Sequence, residues 1–246
     1  MNHRMTTVNE TRHGGPRDHA RENLELIEIL KHLSPEARRG LVLRCRWKIW
    51  EPGEQIIDRE TESADVYFVT HGTARVVNYG LSGREVSFDD IPTGGSFGEL
   101  AAIDGGRRSA NVVAVDVTTT AIMPAKIFLE MLVEHPEVLM ALVKRLARIV
   151  RASTGRIMDL STLGAQNRIY AELLRLARQA GIKDNIGNLQ PIPVHSDIAA
   201  RVSTTRETVA RVLSDLQRRG LVHREKNGLL ISDVQRLSSM VEEFSD

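Results

Sequence analysis

The sequence holds one cysteine, Cys45, among 246 residues. A lone thiol can neither build an intrachain disulfide framework nor ligate an iron–sulfur cluster, so Cys45 reads as a small buried apolar residue. Excess charge of either sign is also missing. Lys and Arg number 33 against 32 Asp and Glu, a net +1, so any surface for a polyanion must be local. No apolar run is long enough to span a bilayer, and the first twenty residues lack a hydrophobic signal segment. A cytoplasmic location is expected. No nucleophile elbow, Walker loop, zincin helix or histidine cluster occurs, and the C-terminal third is too short for a separate catalytic domain. Neither an enzyme nor a bound metal is expected. Repeats at solenoid periods are absent too.

What is present is ordinary for a globular protein: 41% hydrophobic and 26% charged residues, in a chain long enough for two cores. Residues before about Ala20 are polar, contain Gly14-Gly15-Pro16 and show no periodicity, so they read as a disordered arm. Leu24, Ile27 and Leu30-Lys31 begin a short helical pattern, and Ser34-Pro35-Glu36 is a helix start with proline at its first position. From Trp47 to Met123 short β-rich runs take over. They are Gln55 to Ile57, Val66 to Val69, Ala74 to Val77, Glu85 to Phe88, Ala110 to Val117 and Thr119 to Met123. Turn signals at Pro52-Gly53, His71-Gly72, Ser82-Gly83, Thr93-Gly94-Gly95 and Asp104-Gly105-Gly106 separate them, a spacing that predicts a sandwich or barrel.

Pro124 then opens a helix to about Glu134, and Pro136 opens a longer one to Leu163. Leu139, Leu142, Leu146 and Ile149 follow steps of three and four, the seam of a helix that pairs with another helix. Ser153 takes the next seam position with Thr154 beside it, and the apolar series resumes at Ile157 and Leu160. Two hydroxyls in that seam either form a polar notch that fixes register or face something polar shared between two subunits. A further amphipathic helix covers Gln166 to Gln179, with Ile169, Leu173, Leu174 and Leu176 inward and Gly181 as its stop. Two prolines and two turn signals between Ile182 and Val194 predict a hairpin.

Two stretches carry chemistry. In the first, Gly95-Ser96-Phe97-Gly98-Glu99-Leu100-Ala101 precedes Arg108-Ser109-Ala110. A glycine admits close backbone approach, a carboxylate accepts from a sugar hydroxyl, and a guanidinium offers a planar fork to a phosphate. A tight turn with one exposed carboxylate and a solvated Arg107-Arg108 pair would use the same residues. The run closely resembles the phosphate-binding cassette of cyclic-nucleotide-binding domains, and Pro52 to Ile57 with Val66 to Val69 resembles the first strands of their jelly roll. The resemblance implies Arg108 on a cyclic phosphate, Glu99 on the ribose 2′-hydroxyl, and Gly98, Leu100, Ala101 and Ser109 beside them. It also implies that Ser153 and Thr154 meet the purine, one from each subunit of a dimer. Where that family usually has a glycine ahead of the Val66 run, this chain has Asp58-Arg59-Glu60-Thr61.

In the second stretch, Ser196 to Val202 is a short helix and Ser203-Thr204-Thr205 a turn with a helix cap. Arg206-Glu207-Thr208-Val209-Ala210-Arg211-Val212-Leu213 then runs to Arg219 and stops at Gly220. Val209, Val212, Leu213 and Leu216 face inward, which leaves Arg206, Glu207 and Arg211 outward at the start of the second helix, where a helix-turn-helix reads bases. Leu221 to Glu225, a Lys226-Asn227-Gly228 turn and Leu229 to Ile231 form a hairpin. An ordinary helical hairpin with solvated charges is the alternative. The segment resembles the winged helix of the CRP/FNR family, of the cyclic-AMP receptor type, whose Arg-Glu-Thr-Val-x-Arg helix reads TGTGA-type half-sites. Arg206 and Arg211 can pair with guanine and Glu207 with cytosine, while Ser196, Thr205 and Thr208 are expected against the DNA as well. The family often has glycine where this chain has Ser203.

The resemblance covers about Leu24 to Ile231. It implies an α+β fold with an arm over 1–22, a cyclic-nucleotide-binding β-roll over 23–135, a dimerisation helix over 136–163 and a winged helix-turn-helix over 164–246. The function it implies is a homodimeric regulator activated by cAMP or cGMP on palindromic DNA. RNA polymerase is an expected partner, because the hairpin near Lys183 to Gln190 matches that family's polymerase-contacting loop by position. A regulator of the same fold with another effector, or one that binds DNA without a ligand, is the rival reading.

Overall fold

A computed structural model describes residues 24–80 and 85–242. The arm expected at 1–22 and the turn expected at Ser82-Gly83 lie outside the described residues. The Leu24 to Lys31 pattern forms only a single 3₁₀ turn, Glu28–Leu30. Helix α1, Pro35–Val42, starts as its sequence predicts, with Ser34 Oγ accepting from the Ala37 N–H at 3.2 Å.

Eight strands follow: β1 Arg46–Trp50, β2 Gln55–Ile57, β3 Val66–His71, β4 Thr73–Tyr79, β5 Glu85–Pro92, β6 Ser96–Phe97, β7 Asn111–Ala114 and β8 Thr118–Met123. The short helix α2, Glu99–Asp104, sits between β6 and β7. The strands form two antiparallel sheets, ordered β1-β8-β3-β6 and β2-β7-β4-β5. A chain that alternates between two facing sheets in this way is a jelly roll. Strand β3 shows why its sequence has no polar break. Val66 and Phe68 join the core beneath the helices while Tyr67 and Val69 join the core between the sheets, so both faces are buried. Strands β1 and β6 had no clear sequence signal, and β7 is shorter than the Ala110 to Val117 run.

Helices α3, Ala125–Glu134, and α4, Pro136–Thr162, lead into α5, Ala165–Ala180. Next come β9 Ile182–Lys183, β10 Ile186–Leu189, α6 His195–Arg201, α7 Arg206–Arg218, β11 Val222–Arg224, β12 Leu229–Ile231 and α8 Val234–Glu242. The four strands form a third sheet, β11-β12-β10-β9. Asp184 and Asn185 both take positive φ, 52° and 64°, which makes the β9–β10 connection a two-residue hairpin turn. Helix α8 was not anticipated; Leu237 and Met240 bury it in the same core as Ile169, Leu173, Val209 and Leu216.

The long helix corrects the expected seam. Leu142 is only 1% exposed and packs with Val138 into the β-roll core, and Leu146 lies against that core. Two of the positions read as a partner seam therefore cover the chain's own β-roll, while Leu139 and Ile149 stay 42% and 41% exposed. The unpartnered apolar stripe runs through Met140, Val143, Val150 and Ile157, with Val150 64% and Ile157 62% exposed. Val143, Val150 and Ile157 recur every seven residues, the spacing of a two-helix seam. Steps of three and four reveal an apolar face but not what covers it.

Candidate functional site

The cassette is assembled from three elements. Strand β6 pairs with β3, opposing Tyr67 to Phe97, and their rings stack with centroids 5.1 Å apart. Gly98 follows at φ 86° as the cap of α2, and a Cβ there would sit 2.8 Å from both Arg108 Nη1 and Asp65 O. Only glycine fits that turn and that proximity. A cavity of about 180 Å³ opens beside it, lined by Gly98, Glu99, Leu100, Ala101, Arg108 and Ser109 among others. Those six residues, expected around a ligand, share one cavity.

Arg108 is buried, at 4% exposure, and the hydrogen bonds of its guanidinium among the described residues all go to neutral oxygens. Nη1 donates to Gly98 O at 2.9 Å, Nη2 to Asp65 O at 2.9 Å, and Nε and Nη2 to Ser63 Oγ at 3.2 and 3.0 Å. The loop that departs from the family's glycine pattern thus leads to Ser63, which holds this arginine. Burial pulls the Arg108 pKa below its ordinary value. A buried cation without a counter-charge in contact is costly unless an anion completes it.

Glu99 is likewise buried, and its two oxygens differ. Oε1 lies 3.2 Å from Arg145 Nη1, whereas Oε2 is buried without a hydrogen-bond partner among the described residues. An orphaned acceptor of this kind calls for a donor such as a hydroxyl. Arg145, from α4, also donates to Ser96 O at 2.5 Å and Ser96 Oγ at 3.3 Å, so the long helix is pinned to the cassette. Sequence reasoning missed Arg145 and Ser63. The one available signal was that Arg145 lies eight residues before Ser153, two turns along one helix face. Asp89 and Phe88 of β5 close the far side of the cavity, and burial pushes the Asp89 carboxyl pKa up.

Within a single chain Ser153 and Thr154 are exposed and do not line the cavity; Arg145 and Ile149 do. Ser153 lies four residues beyond Ile149, on the cavity face. Thr154 instead follows Val150 by four and precedes Ile157 by three, in the unpartnered stripe, and its hydroxyl donates to Val150 O at 3.0 Å. The two hydroxyls point to different surroundings.

A larger cavity of about 380 Å³ lies where α4, α5, α6 and α8 meet. Four of its five arginines are already engaged: Arg175 with Glu172 at 2.7 Å, Arg168 with the Leu163 and Val202 carbonyls at 2.8 and 2.9 Å, Arg156 with carbonyls of β5 and Arg201 with Asp90. The smaller cavity holds the unsatisfied charge and acceptor. Among the described residues no group of His, Cys, Asp and Glu is placed to hold a metal ion.

At the other end of the molecule, Thr205 caps α7 by accepting from the Thr208 N–H at 3.2 Å, and the two hydroxyls lie 3.1 Å apart. Arg206, Glu207 and Arg211 are exposed at the start of α7, Ser196 is exposed on α6, and Val209, Val212, Leu213 and Leu216 are buried. Its own backbone N–H, and then the Thr205 hydroxyl, hold Glu207's pKa below the usual carboxylate value. An ionised acceptor thus sits between two exposed guanidinium groups. Ser203, at φ 51°, makes the tight turn between α6 and α7 where glycine would be unstrained.

Comparisons with known proteins agree with both ends. The family model of the cyclic nucleotide-binding domain matches residues 47–135, and that of the Crp-like helix-turn-helix domain matches residues 167–240. The chain is 33% identical over 175 residues to the cyclic AMP receptor protein of Thermus thermophilus, covering 71% of this chain and 78% of that one. It is 27% identical over 219 residues to the CRP-like cAMP-activated global transcriptional regulator of Mycobacterium tuberculosis, covering 88% and 97%. Among solved structures, a CooA mutant from Carboxydothermus hydrogenoformans superposes with a TM-score of 0.77 at 24% identity over 88% of this chain and 95% of that one, a likeness of fold.

Proposed function

The chain belongs to the CRP/FNR family of DNA-binding transcription regulators, which are not enzymes, and from that footing we propose that it is a cytoplasmic homodimer activated by a cyclic nucleotide. The observation that carries the proposal is the pairing, in one cavity, of a buried guanidinium hydrogen-bonded to no carboxylate with a buried carboxylate oxygen that has no donor among the described residues. A cyclic nucleotide supplies both complements in one molecule. Its phosphate meets Arg108, Gly98 and Ser109, and its ribose hydroxyl meets Glu99 Oε2. Leu100 and Ala101 bring the start of α2 against the phosphate. The two relatives named above carry cyclic AMP in their names, and on that support cAMP is favoured over cGMP.

The exposed stripe of α4 meets the same stripe of a second copy. Ser153 then approaches the purine held by its own β-roll, and Thr154 reaches the purine held by the other. The nucleotide favours the state in which these hydroxyls close on it, a population shift rather than a new fold. In that state the two α7 helices stand about 34 Å apart, one turn of B-DNA. Arg206, Glu207 and Arg211 read the bases of a palindromic TGTGA-type site, while Ser196, Thr205 and Thr208 hold phosphates. The β9–β10 hairpin is the surface proposed to meet RNA polymerase.

Calorimetric titration of the chain with cAMP, with cGMP and with inorganic phosphate tests the cavity. The expected result is saturable binding of cAMP, weaker binding of cGMP and no comparable heat from phosphate. Arg108→Ala is expected to weaken cAMP about 100-fold, the ~3 kcal/mol of two charge-assisted hydrogen bonds. Equal affinity of wild type and Arg108→Ala would contradict the assignment, and no binding of either nucleotide would point to another effector on the same fold.

A further inference from the structure

The β-roll and the winged helix meet through a chain of alternating charge, Asp197–Arg75–Asp90–Arg201, that none of the expected site residues joins. Arg75 of β4 and Asp90 of β5 are cross-strand partners, bound by Nε to Oδ1 at 2.7 Å and Nη2 to Oδ2 at 3.1 Å. Two charges of α6 extend this pair at either end. Arg201 Nη2 donates to Asp90 Oδ2 at 2.6 Å, and Arg75 Nη2 donates to Asp197 Oδ2 at 2.8 Å. Each side thus contributes one cation and one anion. The side chains of Arg75 and Arg201 are only 13% and 10% exposed, so this junction is not a screened surface pair. Beyond it Arg201 Nε stands 3.8 Å from Glu172 of α5, which holds Arg175 in a two-point contact.

The strand that carries the junction also carries two other contacts. Phe88 and Asp89 line the effector cavity, and the Ser87 and Phe88 carbonyls accept from Arg156 of α4 at 3.3 and 3.0 Å. Four consecutive residues of β5 therefore touch the cavity, the long helix and the helix-turn-helix.

We infer that Asp90 is a positioning residue for the allosteric response: through Arg75 and Arg201 it holds α6, and with it α7, against the strand that walls the effector cavity. Filling the cavity and turning the recognition helix then act on one shared element. Reciprocity requires each to change the free energy of the other. The inference rests on the cyclic-nucleotide reading above for the identity of the effector. Neither Asp90 nor Arg201 lines that cavity, so a merely structural role would lower stability and leave the nucleotide response unchanged.

The test uses the full chain and an operator fragment, and compares operator affinity with and without cAMP for wild type, Asp90→Asn, Asp90→Glu, Arg201→Gln and the double variant Asp90→Asn with Arg201→Gln. The expected result is a nucleotide-dependent ratio that falls at least about five-fold in each neutralising variant. The double variant is no worse than either single one, as for residues that act as a pair, and Asp90→Glu recovers part of the ratio. An unchanged ratio in Asp90→Asn overturns the inference. Should wild type itself show no nucleotide response, the effector reading falls, and the junction is judged by a second measurement. Spin labels at Tyr79 and Arg218, in a Cys45→Ser background, report the distance between the two parts. Asp90→Asn is expected to broaden that distance distribution, and a distribution identical to that of the parent overturns the junction.

Discussion

At the scale of single residues, conformation and ionisation give three checks. Ser203 occupies the left-handed region at φ 51°, where glycine carries no penalty and a β-branched residue carries a large one. Ser203→Val is expected to lower the unfolding free energy by about 1–2 kcal/mol, and Ser203→Gly to leave it equal or up to ~1 kcal/mol higher; urea titration reads both. Burial pushes the Cys45 thiol up to about 12. Between pH 7 and 9 the folded protein therefore holds almost no thiolate, and alkylation by iodoacetamide should track unfolding. Rapid labelling of the native chain at pH 8 would contradict this. Above the unfolded thiol's value of 9.0 the unfolded state sheds its proton first, so the penalty Cys45 places on folding grows from there to about 12 and stays at its full size beyond. Glu207 is exposed and ionised beside Arg206. Glu207→Ala is expected to relax specificity at one cytosine-containing pair by about 1–3 kcal/mol, and an equal loss across all operator variants would refute direct readout. Gly98, Glu99 and Arg108 were legible because a short run of unlike chemistries stands out in sequence. Arg145 was not, since an arginine on a long helix reads as a solvated charge until the fold shows Glu99 opposite it.

At the scale of elements, periodicity identified the long helix and its bounds but did not separate the seam positions that pack on the chain's own β-roll, Leu142 and Leu146, from those left exposed, Leu139, Ile149, Ile157 and Leu160. Leu142 is buried against the β-roll, and Val150 belongs to the exposed apolar stripe proposed to meet a second copy. The two positions should respond differently. Leu142→Ala is expected to destabilise the fold by about 2–5 kcal/mol while dimers persist at concentrations where the chain is folded. Val150→Asp is expected to leave the unfolding of the β-roll nearly unchanged and to shift sedimentation toward monomer. Dimers that tolerate Val150→Asp would place the interface elsewhere. Strand β6 escaped the sequence because two residues carry no period. Strand β3 was plain because every one of its residues from Val66 to Val69 is apolar. Helix α8 was missed because its apolar positions, Val234, Leu237 and Met240, follow the wing without a capping signal read in advance.

At the scale of the whole molecule, the two motifs lie about a hundred residues apart in sequence, from Arg108 to Arg206, and the fold joins them through few groups. Arg168 ties the end of α4 to the turn before α7 by donating to Leu163 O and Val202 O, while Asp90 and Arg201 tie α6 to β5. Such long-range ion pairs leave no mark in local sequence, so the order of domains could be read but not their coupling. The central claim is that one anionic sugar–purine held by Arg108 sets the affinity for DNA. The most direct measurement is operator binding, at fixed salt, across a cAMP titration for wild type and Arg108→Ala. The account predicts that wild-type affinity climbs with cAMP to a plateau, while the variant stays at the nucleotide-free level until concentrations about 100-fold higher. Superimposable curves for the two proteins, or affinity indifferent to cAMP in both, would contradict it.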